Sequence, residues 1–408
     1  MSDKIPELLE NLQSNNPIDR VKAAKLLGES GNRQATQELI TALKENPDIE
    51  TRIATAQALG KIGDRTATEF LIETYQRDPD AKIKSAMLSA LGELGDDSAY
   101  DVIMNAILNE TTVAIRESAI IAIGKLNNKA AAEELQNIVK NEKSVKLIVA
   151  AIKSLYLLGE RKAAQLFREL LESSDNVQIR AEVAAGLGRI GGRSAIAPLV
   201  SILAKEESDI VRESIVISLG RIGNTTSVDH LINSLRKDPS PIVRKGAAWS
   251  LRRIRDSRIT SALMAQLDAE TFVAVKQEII ASLGKHKERK AINAIIDELA
   301  NSKDEQVRRS AVIALGDIND KKAVEPLLQA LENDKSEEVR KYSAWALSKL
   351  KSINSKDILV ELEKKESDAE VKEMIKEAIE AITEAIRLEE EELKKAEERA
   401  KREDYYYF

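Results

Sequence analysis

Apolar residues return along this chain at a fixed interval of 32 residues. Stepping by 32 from the first of them meets an apolar side chain at all twelve positions: Leu27, Leu59, Leu91, Ile123, Leu155, Leu187, Leu219, Leu251, Leu283, Leu315, Leu347 and Ile379. Around one of these positions, the apolar residues of segment 211–222 fall on one stripe of an α-helix and fit no strand. A stripe this narrow cannot bury itself alone, so the pattern predicts a row of helices that cover one another.

Helix ends recur in the same register. One column holds residues that suit the left-handed turn at the end of a helix: Gly31, Gly63, Gly95, Asn127, Gly159, Gly191, Gly223 and Asn319. Most residues of the next column, such as Asp64 and Asn224, can accept the free amide hydrogens at the start of a following helix. That following helix carries its own apolar column, from Leu39 to Leu327. The unit is therefore predicted to be a helical hairpin, whose first helix carries the Leu27 column and whose second carries the Leu39 column.

One position before the Leu27 column, every residue except Leu26 is small. The small residues are Ala58, Ala90, Ala122, Ser154, Gly186, Ser218, Ser250, Ser282, Ala314, Ala346 and Ala378. Small side chains at these positions predict that another helix approaches closely there.

The units resemble a known repeat family. The pattern VRxxAAxxLGxIG stands nearly intact at Val243 to Ile254, and segments such as Arg52 to Asp64 (RIATAQALGKIGD) repeat it. It resembles the HEAT-repeat superfamily, in particular its short phycobilisome-lyase-type HEAT-like repeats, over roughly residues 4 to 385. The resemblance implies an all-α, right-handed α-solenoid of about twelve 32-residue hairpins with second helices on the concave face. We expect one continuous solenoid over residues 1–385 with its terminal units as caps.

Composition narrows the function classes. The chain has 408 residues, a net charge of -6, no cysteine and two histidines, His230 and His286, which lie in different units. No signal peptide or long apolar run is visible, so a soluble cytoplasmic protein without membrane contact is expected. We predict no enzyme activity, no cofactor and no metal site. HEAT-like deoxyhypusine hydroxylases carry His-Glu pairs, which this sequence lacks. A bilin lyase-type subunit or a chaperone stays an alternative, because lyase subunits share this repeat branch.

A column of basic residues begins the first helices: Arg20, Arg52, Lys84, Arg116, Arg180, Arg212, Arg244, Lys276, Arg308, Arg340 and Lys372. In the family such an Arg usually pairs with an acid just upstream. Here acids such as Asp334 stand six residues before their basic neighbours, so a structural role is predicted. The fifth unit departs from the pattern, with Ile148 in place of Arg and Tyr156 in place of Gly, which predicts a change of packing.

The predicted binding residues lie on the first helices. Both tryptophans, Trp249 and Trp345, share one column, and four consecutive units carry a cation four residues later: Arg189, Arg221, Arg253 and Lys285. Residues 180–258 hold 14 basic and 8 acidic side chains, whereas residues 357–404 hold 10 basic and 18 acidic ones. We predict a non-catalytic scaffold that binds an acidic or helical protein segment on its concave face through these six residues. Nucleic-acid binding by the same patch, with Trp249 stacking on bases, is the alternative.

The end of the chain gives a separate prediction. Residues 386–404 are predicted to form a projecting charged helix that continues the last repeat. Tyr405, Tyr406, Tyr407 and Phe408 follow, and they hold four of the thirteen aromatic residues of the chain. We predict that this tail docks to another protein or to a neighbouring copy, and an end that folds back on the last repeats is the alternative.

Overall fold

The protein is built from helices alone within the part of the chain that the structure describes. The structure, a computed structural model, describes the backbone of residues 4–405 and the side chains of residues 4–397. The chain divides into two compact units, unit 1 (Met1–Ser218) and unit 2 (Leu219–Phe408), and their boundary falls inside helix α14.

The helices of unit 1 are α1 (Ile5–Leu12), α2 (Pro17–Ser30), α3 (Thr36–Glu45), α4 (Ile49–Ile62), α5 (Thr68–Arg77), α6 (Ala81–Leu94), α7 (Tyr100–Asn109), α8 (Val113–Leu126), α9 (Ala132–Asn141), α10 (Val145–Leu157), α11 (Ala163–Ser173), α12 (Val177–Ile190) and α13 (Ile196–Leu203). Helix α14 (Asp209–Ile222) contains the boundary. Unit 2 continues with α15 (Val228–Lys237), α16 (Pro241–Leu251), α17 (Ser257–Ala269), α18 (Val273–His286), α19 (Ile292–Asn301), α20 (Glu305–Ile318), α21 (Val324–Asn333), α22 (Glu337–Leu350), α23 (Lys356–Lys365) and α24 (Ala369–Tyr405).

The predicted α-solenoid is confirmed, but the two helices that form each hairpin are not the predicted pair. The predicted first helices are the even-numbered ones, and they pack in sequence within each unit, α2 on α4 on α6 and α18 on α20 on α22. Odd-numbered helices pack closely against the even-numbered helix that follows, as α3 does on α4 in unit 1 and α15 on α16 in unit 2. The helices joined by the glycine turn, such as α4 and α5, pack less closely. A hairpin therefore joins the second helix of one 32-residue unit to the first helix of the next.

The predicted helix ends are confirmed at most positions. Gly63 takes a φ of 70°, its N–H donates to the carbonyl oxygen of Leu59, and the Asp64 carboxylate accepts the N–H of Thr66 to start the next turn. Asn127 and Asn319 also adopt positive φ, as predicted. The prediction for Gly191 is wrong, because that residue has a φ of -77° and Gly192 takes the left-handed turn instead.

Even-numbered helices approach one another where a second glycine column meets the small column. This glycine column comprises Gly28, Gly60, Gly92, Gly124, Gly188, Gly220, Gly284 and Gly316. A Cβ atom added to Gly220 would lie 2.4 Å from the Cβ atom of Ser250. The serine hydroxyls of the small column also donate hydrogen bonds across this contact, as the Ser154 Oγ does to the carbonyl oxygen of Ile120 at 2.6 Å. The prediction that small residues permit close approach is thus confirmed, with glycine on one helix facing Ala or Ser on the next.

Helix α24 is much longer than the other even-numbered helices. It runs unbroken for 37 residues, whereas α22 has 14. Its last fully buried residue among the described side chains is Ile382, which lies one 14-residue length from the start of the helix. The single domain over residues 1–385 and the separate projecting segment 386–404 stay predictions.

Candidate functional site

Most cations at the start of the even-numbered helices are structural. Seven of them pair with a carboxylate 26 residues further along the chain: Arg52 with Asp78, Lys84 with Glu110, Arg116 with Glu142, Arg180 with Glu206, Arg244 with Glu270, Arg308 with Asp334, and Arg340 with Glu366. We call this set the ion-pair ladder. Each of its pairs links the even-numbered helix of one hairpin to the loop after the odd-numbered helix of the next hairpin.

The acids that stand six residues before the basic residues do not pair with them as predicted. Arg340 donates from Nη1 to the backbone carbonyl oxygen of Asp334, while its Nε and Nη2 bind the Glu366 carboxylate at 2.8 and 3.0 Å. The Asp334 carboxylate binds Arg308 instead. The structural role predicted for the column is therefore confirmed, whereas the predicted pairing is wrong by one repeat.

The fifth unit omits both members of its pair. Ile148 is buried where a basic residue would stand, and Ser174 occupies the position 26 residues later where a carboxylate would stand. Because neither charge is present, no charged group is left without its partner at this point of the ladder. The predicted change of packing also appears here, since Tyr156 lies against Gly186 and α10 has 13 residues where α8 has 14.

Glu270 is the most strongly bound carboxylate of the ladder. Burial by itself would raise the pKa of Glu270, but hydrogen bonds from Arg244, from the Phe272 N–H and from the Gln266 amide lower it to about 2. The Arg244 guanidinium also lies 5.3 Å from the centre of the Phe272 ring. This network holds the loop after α17 against α16.

We expect unit 2 to lose stability in acid through this group. The pKa of Glu270 lies below its unfolded value of 4.5, so its contribution is complete above about pH 4.5 and is lost as the pH falls towards 2. The lost contribution amounts to about 3 kcal/mol, because one pKa unit corresponds to about 1.4 kcal/mol. Urea unfolding of the parent and of Glu270→Gln between pH 7 and pH 3 would measure it. An unchanged pH slope in the variant would contradict this assignment.

Unit 2 contains a groove of about 1150 Å³ between the ends of its even-numbered helices. Five basic and three acidic side chains line it: Arg221, Arg252, Arg253, Arg255, Lys285, Asp256, Glu288 and Asp317. Ala281 and Ile313 contribute apolar surface. The groove therefore combines an apolar patch with an excess of positive charge.

The local sequence explains why a groove forms at this point. Helix α16 ends at Leu251 after 11 residues, whereas α18 and α20 each have 14. Arg252 occupies the position at which other repeats have the glycine that contacts the next helix. Its Nη1 atom lies 3.3 Å from Oε1 of Glu278. Burial raises the pKa of Glu278, and the positive charge of Arg252 offsets part of that rise. The missing last turn of α16 leaves space that the following turn lines with Arg253 and Arg255.

Three exposed groove cations have no carboxylate within ion-pair distance among the described side chains. These are Arg253, Arg255 and Lys285. Arg253 lies 4.9 Å above the centre of the Trp249 ring, a cation–π contact that holds the guanidinium in place without neutralising it. Trp249 is half-buried under this cation, so its ring is packed as well as partly exposed.

The same column is neutralised over its first four repeats, in unit 1. Lys61 lies 3.9 Å from Glu29, and Lys125 donates a hydrogen bond to Glu93, in each case one repeat earlier in the same column. Alternating acids and bases cancel one another there. In unit 2 three consecutive repeats of the column carry a cation: Arg221, Arg253 and Lys285. Successive positions of the column therefore have the same charge.

The structure brings together some of the predicted binding residues. Arg221, Arg253 and Lys285 line one groove, and Trp249 lies beneath Arg253. Arg189 belongs to unit 1, where it lies 4.9 Å above the Tyr156 ring. Trp345 is not among the groove residues and packs against Tyr342 and below Lys349.

Some groove residues were missed by the sequence reasoning. Ile313 and Asp317 stand in the same columns as Trp249 and Arg253, so the 32-residue register could have indicated them. The prediction for the aromatic tail cannot be placed in this way, since Tyr406, Tyr407, Phe408 and the Tyr405 side chain lie outside the described residues.

Among the side chains of residues 4–397, no group of three or more His, Cys, Asp or Glu residues could hold a metal ion. His286 is half-buried at the groove, and its Nε2 lies 3.2 Å from the carbonyl oxygen of Leu251. No helix in the described part of the chain combines the length and the apolar character needed to cross a membrane.

Comparison with known families gives matches over most of the chain. The sequence profile for HEAT repeats matches residues 5–91, 68–148, 132–220, 228–297 and 292–380. The profile for the PBS lyase HEAT-like repeat matches residues 211–237. No curated protein matches this chain in sequence.

Solved structures similar to this chain are distant in sequence. Importin beta is 14% identical at a TM-score of 0.57, over 94% of this chain and 62% of that chain. This chain therefore spans less than two thirds of the importin beta chain. The complex of CpcE and CpcF of phycocyanin lyase from Nostoc sp. PCC7120 is 21% identical at a TM-score of 0.40, over 59% of this chain and 91% of that one. Human deoxyhypusine hydroxylase is 20% identical at a TM-score of 0.30, over 78% of this chain and 96% of that one.

Proposed function

We propose that this chain, which belongs to the HEAT-repeat family, is a non-catalytic scaffold that binds an acidic protein segment in the groove of unit 2. The observation that carries the proposal is the succession of cations in that groove. Arg253 and Lys285 are exposed and lack carboxylate partners in the described structure, whereas the ladder cations are satisfied. The predicted cytoplasmic location stays a prediction.

The groove suits a protein segment better than a phosphate backbone. Asp256, Glu288 and Asp317 line it together with the cations, and such acids would repel closely spaced phosphates. Ala281 and Ile313 offer apolar surface that an amphipathic segment can cover. Trp249 is already covered on one face by Arg253, so it is poorly placed to stack on a base.

We expect reversal of the groove charge to abolish most of this binding. The double variant Arg253→Glu, Lys285→Glu removes two of the three groove cations that have no carboxylate partner, and it should bind a synthetic Glu-rich helical peptide at least about tenfold more weakly. Fluorescence anisotropy of the labelled peptide measures the affinity. The matched control is Lys61→Glu, Lys125→Glu, which makes the same charge change in the same column where both cations are already paired.

The outcomes separate the two classes of partner. Equal peptide binding by the parent and the groove variant would contradict the proposal. A single-stranded DNA oligonucleotide that binds the parent, loses affinity by orders of magnitude between about 50 and about 200 mM salt, and fails to bind the groove variant would replace it with the nucleic-acid hypothesis.

A further inference from the structure

The end of α24 is a helix without a packing partner in the described structure. Val371, Ile375, Ala378 and Ile382 are fully buried and complete the packing on α22 and α23. None of the described side chains from Thr383 to Glu397 is buried. Fifteen helical residues extend about 22 Å, since each adds about 1.5 Å. We call residues 383–397 the acidic extension.

The acidic extension presents both charge and apolar surface. Leu388 and Leu393 are 46% and 65% exposed. Between them lies a run of four glutamates, Glu389 to Glu392. Arg387 binds Glu384 and Glu391, so Glu389, Glu390 and Glu392 are the glutamates of this run that have no ion pair among the described side chains.

This chemistry is complementary to the groove of unit 2. The groove offers Arg253 and Lys285 without carboxylate partners, and Ala281 with Ile313 as apolar surface. The acidic extension offers two exposed leucines and, in the run Glu389 to Glu392, three glutamates without an ion pair among the described side chains. The groove has an excess of positive charge and the acidic extension an excess of negative charge, and such complementary charge steers two surfaces together and disfavours wrong partners.

We propose that the acidic extension of one copy of this chain occupies the groove of a second copy. The inference rests on the proposed function of the groove, and it names the partner as the chain itself. Within one chain the extension continues an unbroken helix whose beginning is packed on α22, so a return to the groove would require a break in that helix. A contact between different surfaces of two copies leaves one groove and one extension free, so the copies add head to tail.

Sedimentation velocity of the full chain tests this assembly. At about 50 mM salt the sedimentation coefficient should rise with concentration between about 1 and about 100 µM, and at about 500 mM salt the rise should be lost because the contact is electrostatic. The groove variant Arg253→Glu, Lys285→Glu should stay monomeric. The extension variant Glu389→Gln, Glu390→Gln, Glu392→Gln should also stay monomeric.

A mixture of the two variants gives the sharpest result. The extension variant keeps an intact groove and the groove variant keeps an intact extension, so one contact can form between them. An equimolar mixture should therefore form a one-to-one dimer and grow no further. The matched controls are Lys61→Glu, Lys125→Glu and, on the packed part of α24, Glu373→Gln, Glu377→Gln, Glu380→Gln, and both should assemble like the parent.

Three results would overturn the inference. A parent chain that stays monomeric at low salt, assembly that survives in either variant, or a mixture of variants that fails to dimerise would each exclude this contact. If the parent is monomeric but its groove still binds the unrelated Glu-rich peptide, the proposed function stands and the self-association fails. If neither binding occurs, both proposals fall.

Discussion

Replacing Glu270 with alanine is expected to lower the free energy of unfolding of the protein by about 3 kcal/mol. The Glu270 side chain is 2% exposed and that of Arg244 is 11% exposed, so the substitution leaves a largely buried guanidinium without its carboxylate. The N–H groups of Thr271 and Phe272 lose their acceptor as well. Urea or guanidinium unfolding followed by circular dichroism measures the change.

The fifth unit indicates a double variant that should restore stability lost in Glu270→Ala. In the fifth unit, Ile148 and Ser174 occupy the positions of Arg244 and Glu270, and the Ser174 Oγ accepts the N–H of Asn176. Arg244→Ile combined with Glu270→Ser should therefore recover at least half of the lost stability, because removal of both charges leaves no buried ion unpaired. A double variant that is as unstable as the sum of the single variants would show that the pair contributes through its packing.

The substitution Gly186→Ala is expected to destabilise the protein by about 2 kcal/mol, although every neighbouring residue of the small column is Ala or Ser. A Cβ atom at Gly186 would lie 2.6 Å from Cε2 of the Phe167 ring and 3.3 Å from Cδ1 of Tyr156. Phe167 is fully buried and cannot move away without displacing its neighbours. Chemical unfolding of the single variant gives the cost.

The companion substitution is Phe167→Leu, which restores the residue type usual in the second-helix column. Alone it should cost about 1 kcal/mol, because it leaves a space beside Gly186. Combined with Gly186→Ala it should cost less than the sum, since the methyl group fills that space and the clash disappears. The control is Ala184→Gly, which removes a buried methyl group at another position of the same helix. Additive costs would mean that Phe167 and residue 186 do not compete for space.

Most of the fold could be predicted from the sequence because each repeat carries the same local signals for forming, ending and starting a helix. Val211, Ile215 and Leu219 place an apolar stripe on a helix, Gly63 ends one, and Asp64 starts the next. These effects act within a few residues, so they do not depend on the rest of the chain. Gly191 failed as a prediction because two adjacent glycines can each take the left-handed turn, and the column alone does not choose between them.

The candidate site could be predicted only in part. The cations Arg221, Arg253 and Lys285 stood out as a column, and they do line one groove. The sequence did not show that the ladder cations differ from them in having a carboxylate partner 26 residues further along the chain. That difference depends on carboxylates 26 residues away, such as Glu270 for Arg244, which a search for acids just upstream does not find.

The sequence by itself determined that this protein is a row of helical hairpins with a 32-residue repeat, because the apolar stripes, glycines and caps act locally in every repeat. Only the tertiary structure decided which second helix packs on which first helix, which carboxylate binds each arginine, and where the shortened α16 opens a groove. Those features depend on distances between residues of different repeats, and a periodic sequence leaves such distances open because each side chain has equivalent candidates one repeat away.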